Sequence, residues 1–161
     1  VCIRDSVLSL ALLRAPTFPG KGGDLGKHRF TYSFLPHAGD LASSTVIENG
    51  YLLNVPMEAF VKSEDGGELE REFSLARVIS GSAVIEAVKP AENGDGFILR
   101  LYEPRGRRSK VSLGFGFAAD VEKTDLGEVS SVPIGQNTRW TGLELSAFEI
   151  VTLRLRATEN R

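Results

Sequence analysis

The sequence predicts an all-β protein, and three observations lead there. Apolar residues recur at every second position in one stretch after another, the spacing that places them on one face of a pleated strand. Turn-forming residues punctuate the chain about every 10 to 15 residues. Only Asp40 to Leu53 carries helix signals. Many short strands with such punctuation argue for a β-sandwich, with at most one short helix near residues 40–53.

Taken in order, Leu8, Leu10 and Leu12 alternate with Ser9, Ala11 and Leu13, which predicts a first strand. Phe30, Tyr32 and Phe34 alternate with Arg29, Thr31 and Ser33, the pattern of a half-buried strand. Within Asp40 to Leu53, Thr45-Val46-Ile47-Glu48 has capping-box spacing, so Thr45 is expected to accept from the Glu48 amide. Ile47 and Tyr51 then share a helix face, while Gly50 weakens the helix by about 1 kcal/mol relative to Ala. Ser82 to Val88 is rich in β-branched residues. The turn Asn93-Gly94-Asp95-Gly96 and the alternating Phe97 to Tyr102 follow it, which predicts a hairpin. Val111, Leu113, Phe115 and Phe117 predict a further strand. Turns are expected at Pro104 to Arg108 and across Pro133 to Gly142. Leu143, Leu145, Ile150, Leu153 and Leu155 close the chain with one shift of period near Ala147-Phe148, read as a β-bulge.

A chain of 161 residues and 17.5 kDa is about one domain to one and a half. Hydrophobic residues at 42% and charged residues at 25% exclude a disordered, collagenous or coiled-coil chain. The formal charge of -2 leaves no electrostatic footprint for nucleic acid or an anionic membrane. No apolar run approaches the roughly 20 residues of a membrane span. Val7 to Leu13 is broken by Ser9, ends at Arg14 and lacks the flanks of a signal peptide. The single cysteine, Cys2, leaves no intramolecular disulfide and no cysteine-rich zinc site within this sequence. With no initial methionine and a strand-like opening, the sequence is expected to be part of something longer.

The composition turns polar and glycine-bearing at Lys62 to Glu68, which divides the chain into residues 1–65 and 66–161. The second part has enough strands for a small complete sandwich. The first has two or three and cannot bury a core alone, so it is expected to expose apolar surface or hide it in a dimer.

The glycine-rich stretch Gly20 to Lys27 fails as a phosphate loop, because Lys21 and His28 stand where glycine and Ser or Thr are needed. It fails as a dinucleotide fingerprint because Leu25 stands where a glycine is needed. Gly114-Phe115-Gly116-Phe117-Ala118-Ala119 matches the looser dinucleotide pattern, but no βαβ unit is available to it. Glycines inside a strand predict a bulge or close packing instead. His28 and His37 flank the Phe30–Phe34 pattern. With Asp24 or Asp40 they have zinc-ligand chemistry, but their spacing matches no zinc signature. No serine sits in a nucleophile elbow, and Cys2 lies too near the chain start to be held rigidly as a nucleophile. No pair among the 21 carboxylates is singled out by spacing as a glycosidase acid and base. Arg105-Gly106-Arg107-Arg108 reads as a solvated hairpin tip. The residues alone thus give a soluble all-β chain with no catalytic constellation.

A resemblance adds to this. Leu10-Ala-Leu-Leu-Arg14-Ala-Pro16, then Asp24-Leu-Gly26-Lys-His28 and Phe30-Thr-Tyr32-Ser-Phe-Leu-Pro36-His37, resemble the C-terminal region of glycoside hydrolase family 38, in its bacterial and cytosolic-type branch. Leu53-Asn54-Val55-Pro56, Asn93-Gly94-Asp95-Gly96 through Leu101-Tyr102-Glu103, Asp125-Leu126-Gly127-Glu128 and Phe148 to Leu155 are similar to later elements of that family, in the same order. Pro19-Gly20-Lys21 departs from the family's acidic Pro-Asp-Pro. The resemblance implies the end of a galactose-mutarotase-like β-supersandwich over residues 1–65, then a small antiparallel sandwich over 66–161. It implies a zinc-dependent retaining α-mannosidase whose barrel, metal ligands and aspartate nucleophile precede residue 1. No catalytic and no metal-binding residue maps onto this sequence. The implied partners are that barrel and an α-mannoside, with homo-oligomerisation left open and no nucleic acid or membrane. The implied location is cytoplasmic. Arg14 is expected to reach toward the sugar site, with Asp24 as its companion. A free-standing carbohydrate-binding sandwich is the alternative.

Overall fold

A strand forms where a second backbone can take its hydrogen bonds, and alternation of apolar residues does not supply that partner. The computed structural model describes residues 2–4, 7–16, 18, 20, 22–61 and 72–158, and its two regions differ on this point. In the first region the backbone of β1 (Cys2–Arg4) pairs antiparallel with β2 (Val7–Ser9) over three residues. Residues 10–16 and 22–40 then run without regular structure. The strand expected over Leu8 to Leu13 is therefore cut short, and that over Phe30 to Phe34 is not formed. Their alternation is present, but no described strand lies alongside them.

The helix forms close to where it was expected. A single 3₁₀ turn, Leu41–Ser43, is capped by Asp40, whose carboxylate accepts from the Ser43 amide at 2.9 Å. It leads into α1 (Val46–Asn54). Thr45 is the residue before α1, but it does not cap. Its hydroxyl accepts from the Asn49 side chain at 3.1 Å, and the Ser44 hydroxyl accepts from the Val46 amide at 3.3 Å. The capping-box expectation fails because Thr45, at φ -97° and ψ 18°, lacks the extended backbone of a capping residue and its hydroxyl takes the Asn49 amide group instead of the Glu48 N–H. Ile47 and Tyr51 are half-buried on one face as predicted.

In the second region six strands join in one antiparallel, curled sheet. They are β3 (Ala76–Ser80), β4 (Val84–Pro90), β5 (Phe97–Tyr102), β6 (Ser109–Thr124), β7 (Ser131–Leu145) and β8 (Ile150–Ala157). The order runs β3-β6-β8-β5-β4, with β7 on β6. The first half of β6 pairs with β3 and the end of β7, and its second half with β8 and the start of β7. The two hairpins thereby face each other as the layers of a sandwich. The bend lies where Gly114 pairs with Trp140 and Ala119 with Thr138, so residues 115–118 of β6 face Arg139 alone. The strand glycines serve close packing here. A Cβ on Gly116 would sit 2.5 Å from the Ser74 carbonyl, and one on Gly114 would sit 2.9 Å from Ile79 Cδ1.

The core follows from the alternation. Leu99 and Leu101 of β5, Val111, Leu113, Phe115 and Val121 of β6, Leu145 of β7, and Val151, Leu153 and Leu155 of β8 are buried together. Burying each large aliphatic side chain contributes about 1.5–3 kcal/mol. Two expectations are corrected. Pro133 to Gly142 is not a turn but part of β7, which bonds only to β6 among the described strands, so Pro133 needs no donor on its outer edge. Ala147-Phe148 is not a bulge but the turn between β7 and β8. The Glu149 amide donates to the Ser146 carbonyl at 3.1 Å, and Phe148 adopts φ 59°.

Candidate functional site

Arg14 and Asp24 both lie exposed in the first region. Gly23 takes φ 46°, and a Cβ there would sit 3.4 Å from the Pro16 carbonyl oxygen and 3.7 Å from that of Ala15, so the chain beside Asp24 runs near the chain beyond Arg14. Among the described residues neither side chain has a hydrogen bond or an ion pair. The Asp24 carbonyl accepts from His28 Nε2 at 2.7 Å, and the His28 ring stacks on Phe30 with centroids 6.1 Å apart. His37 Nδ1 lies 3.4 Å from the Ala38 carbonyl. Among the described residues no three of His, Cys, Asp and Glu gather as a metal-ligand set. The polar linker at Lys62 to Glu68 falls outside the described residues, apart from its approach at residue 61.

In the arginine cluster at Pro104 to Arg108, Arg107 and Arg108 are exposed as expected of a hairpin tip, but Arg105 is not. Arg105 donates to the Ala42 carbonyl and, at 2.6 Å, to Glu48 of α1, and only 24% of its side chain is exposed. Arg107 lies 3.7 Å from Asp40, and Arg108 lies 3.0 Å from Glu144. A guanidinium can hold a carbonyl and a carboxylate together, which makes this turn a clasp between segment 40–48 and the sandwich. Asp40 is held below the usual carboxylate range by the Ser43 hydroxyl and amide, with Arg107 adding to the effect. One turn of α1 further on, the Tyr51 hydroxyl donates to Glu86 of β4 and lies 3.1 Å from the Tyr102 hydroxyl of β5. The bond to Glu86, then that to Tyr102, raises the Tyr51 phenol above its ordinary range.

Beneath the clasp Glu103 is fully buried, and it forms no ion pair among the described residues. Its carboxylate accepts from the Ser82 hydroxyl and the Arg105 amide at 2.9 Å each, the Arg107 amide at 3.1 Å and the Phe148 amide at 3.3 Å. Burial pushes its pKa up, but the amides of Arg105, Phe148 and Arg107 and the Ser82 hydroxyl outweigh burial and hold it below the ordinary value. A charge so held joins three turns. Nothing in its spacing marks it in the sequence, because its partners come from turns 2 to 45 residues away.

The Asp125 to Ser130 loop is a second polar lock. Asp125 accepts from the Ser130 hydroxyl, the Ser130 amide at 2.9 Å and the Val129 amide at 3.1 Å, and these bonds hold its pKa down at about 2. The loop folds over the outer side of β5 and β8. Arg100 and Arg154 donate to the carbonyls of Leu126 and Glu128 there, at 3.4 and 3.0 Å. Glu128, at φ 61°, turns its carboxylate to the Glu92 amide at 2.9 Å and to Lys89 at 2.7 Å. The chemistry of both locks is structural: the carboxylates of Glu103 and Asp125 are each spent on backbone amides and a serine hydroxyl.

Fold and contacts together define a β-sandwich to which a preceding segment is clasped through α1. Residues 82–153 match the family model of the glycosyl hydrolases family 38 C-terminal beta sandwich domain. The chain is 39% identical to human Alpha-mannosidase 2C1 over 161 residues, which cover 95% of this chain and 15% of that protein. It is 31% identical to Alpha-mannosidase G of Dictyostelium discoideum over 156 residues, 91% of this chain and 14% of that protein. A Putative mannosylglycerate hydrolase of Halalkalibacterium halodurans is 26% identical over 129 residues, 80% of this chain and 14% of that protein. No solved structure matches the chain. The chain thus spans about one seventh of the length of these curated relatives. No helix among the described residues is long and apolar enough to cross a membrane.

Proposed function

We propose that this chain is the C-terminal β-region of an α-mannosidase, acting as a scaffold for a catalytic domain outside residues 1–161. The observation that carries this reading is its alignment, over nearly its whole length, with a small share of two proteins named alpha-mannosidase. The exposed apolar side chains of residues 10–61 support it, since such a surface suits burial against further chain. The division near residue 65 enters the proposal as the boundary between a part completed by that further chain and a self-sufficient sandwich. Zinc belongs to the catalytic part in this reading. The described residues offer no ligand set for it, so no step is assigned to zinc here. A cytoplasmic setting fits a chain whose one cysteine needs no oxidising compartment.

Arg14 and Asp24 are the residues proposed to touch substrate. An arginine offers five fixed donors to sugar hydroxyls or to a carboxylate that orients them. The segment carrying both is exposed and braced only at Gly23 among the described contacts, as suits a loop ordered by a neighbouring domain. In the intact enzyme Arg14→Ala should raise the barrier measured by kcat/KM by about 1.5–3 kcal/mol. The melting temperature should be unchanged. Unchanged kcat/KM removes Arg14 from the site. For the main proposal, the intact protein should hydrolyse a chromogenic α-mannoside and the 161-residue chain should not. Turnover by the chain alone would refute the scaffold role.

A further inference from the structure

The outer face of the β3–β6–β7 layer is built differently from the rest of the surface. Trp140, the single tryptophan of the sequence, stands on it 65% exposed. Its neighbour across the ladder is Gly114, and beyond Gly114 lies Arg77. The bulge between Val78 and Ser80 throws Ile79 onto this face, so that its Cδ1 lies over Gly114. One row further along, Ser80, Ser112 and Gly142 lie opposite one another. In a further row Lys110 stands opposite Glu144, whose carboxylate Arg108 holds at 3.0 Å. These last two rows line an open trough of about 340 Å³.

We propose that this trough binds a pyranose unit of a neutral glycan, seated against Trp140. A pyranose has a face of C–H bonds and a rim of hydroxyls. The C–H bonds are polarised to meet the negative face of an indole. The hydroxyls both donate and accept, as the serine floor and the mixed Lys110–Glu144 wall require. Gly142 keeps the floor of the trough low, since nothing lies within 4 Å of where its Cβ would stand. Glu144 on the wall disfavours a polyanion, and an apolar helix would bury the charges of Lys110 and Glu144. The proposal stands on this face alone and does not rest on the α-mannosidase reading.

Trp140 reports on its own site by fluorescence. The core of residues 75–155 closes within the chain, so the 161-residue protein is a fair test object. Titration with α-mannotriose, maltotriose and cellotriose should give a saturable shift in emission with at least one of them. Gly142→Val fills the trough where an added Cβ meets no atom within 4 Å, so the fold is kept. That variant should bind about tenfold more weakly, with an unchanged melting temperature. Trp140→Ala, followed by calorimetry, should lose binding. No saturable response to any of the three sugars, or equal affinity in Gly142→Val, overturns the proposal. So does a Trp140 found shielded from quencher in the intact protein, because the face would then be covered by the rest of that chain. Binding by a protein whose intact form lacks α-mannosidase activity would leave this proposal standing and the functional one refuted.

Discussion

The two regions of this chain are made of similar side chains placed in opposite surroundings. In the second, Leu99, Leu101, Leu113 and Leu153 are sealed from solvent by strands that lie within 60 residues of one another. In the first, Phe34 is 75% exposed and Met57 97% exposed, although Phe30 to Phe34 alternates as cleanly as Val111 to Phe117. The pattern is the same, and the difference is whether its partner strand lies inside the chain. A period-two run states which face of a strand is to be buried. It does not say against what.

This contrast can be broken by mutation, starting where the effect is largest. Leu153→Ala in the sandwich should cost about 2–5 kcal/mol in urea unfolding of the chain, as a buried leucine leaves a cavity. Phe34→Ala should change the same measurement by less than about 0.5 kcal/mol, the usual range at exposed positions. Equal costs would mean that the first region has a core of its own. Glu103→Ala comes next, at about 3 kcal/mol, because it strands three amides in a buried site. The Glu103 pKa is depressed, so its contribution is present above the unfolded value near 4.5 and is lost as pH falls through the lower folded value. Wild type should therefore lose more stability than Glu103→Ala on acidification below pH 4.5, and parallel curves would contradict the lock. A smaller effect than at Glu103 is expected where α1 meets the sheet. Tyr51→Phe removes a donor to Glu86 and should cost about 1 kcal/mol. It should be visible as faster amide exchange in α1 with the sandwich strands unaffected. Exchange in α1 equal to wild type would mean that Tyr51 does not hold the helix to the sheet.

The same contrast explains what could be read from the sequence. The β4–β5 hairpin, the β6 core face and α1 were legible because turn chemistry and periodicity are local signals. The continuous β7 was not, since Pro133, Gly135 and Asn137 look like turn residues, and their tolerance depends on lying at a sheet edge. Nor was the β7–β8 turn, where Phe148 takes a left-handed conformation that its side chain does not favour. Arg105 looked solvated because its partners Ala42 and Glu48 are about 60 residues away. Arg14 and Asp24 were reached through family resemblance alone. The fold brings their flanking backbones together and leaves both side chains exposed.

The central claim is that the first region is completed by chain outside residues 1–161. Hydrogen exchange of the 161-residue protein, compared with the intact protein, tests it most directly. Amides of β5, β6 and β8 should be equally protected in both. Those of residues 28–36 should exchange freely in the chain alone and become protected in the intact protein. Free exchange of residues 28–36 in the intact protein, or full protection in the chain by itself, would contradict the account.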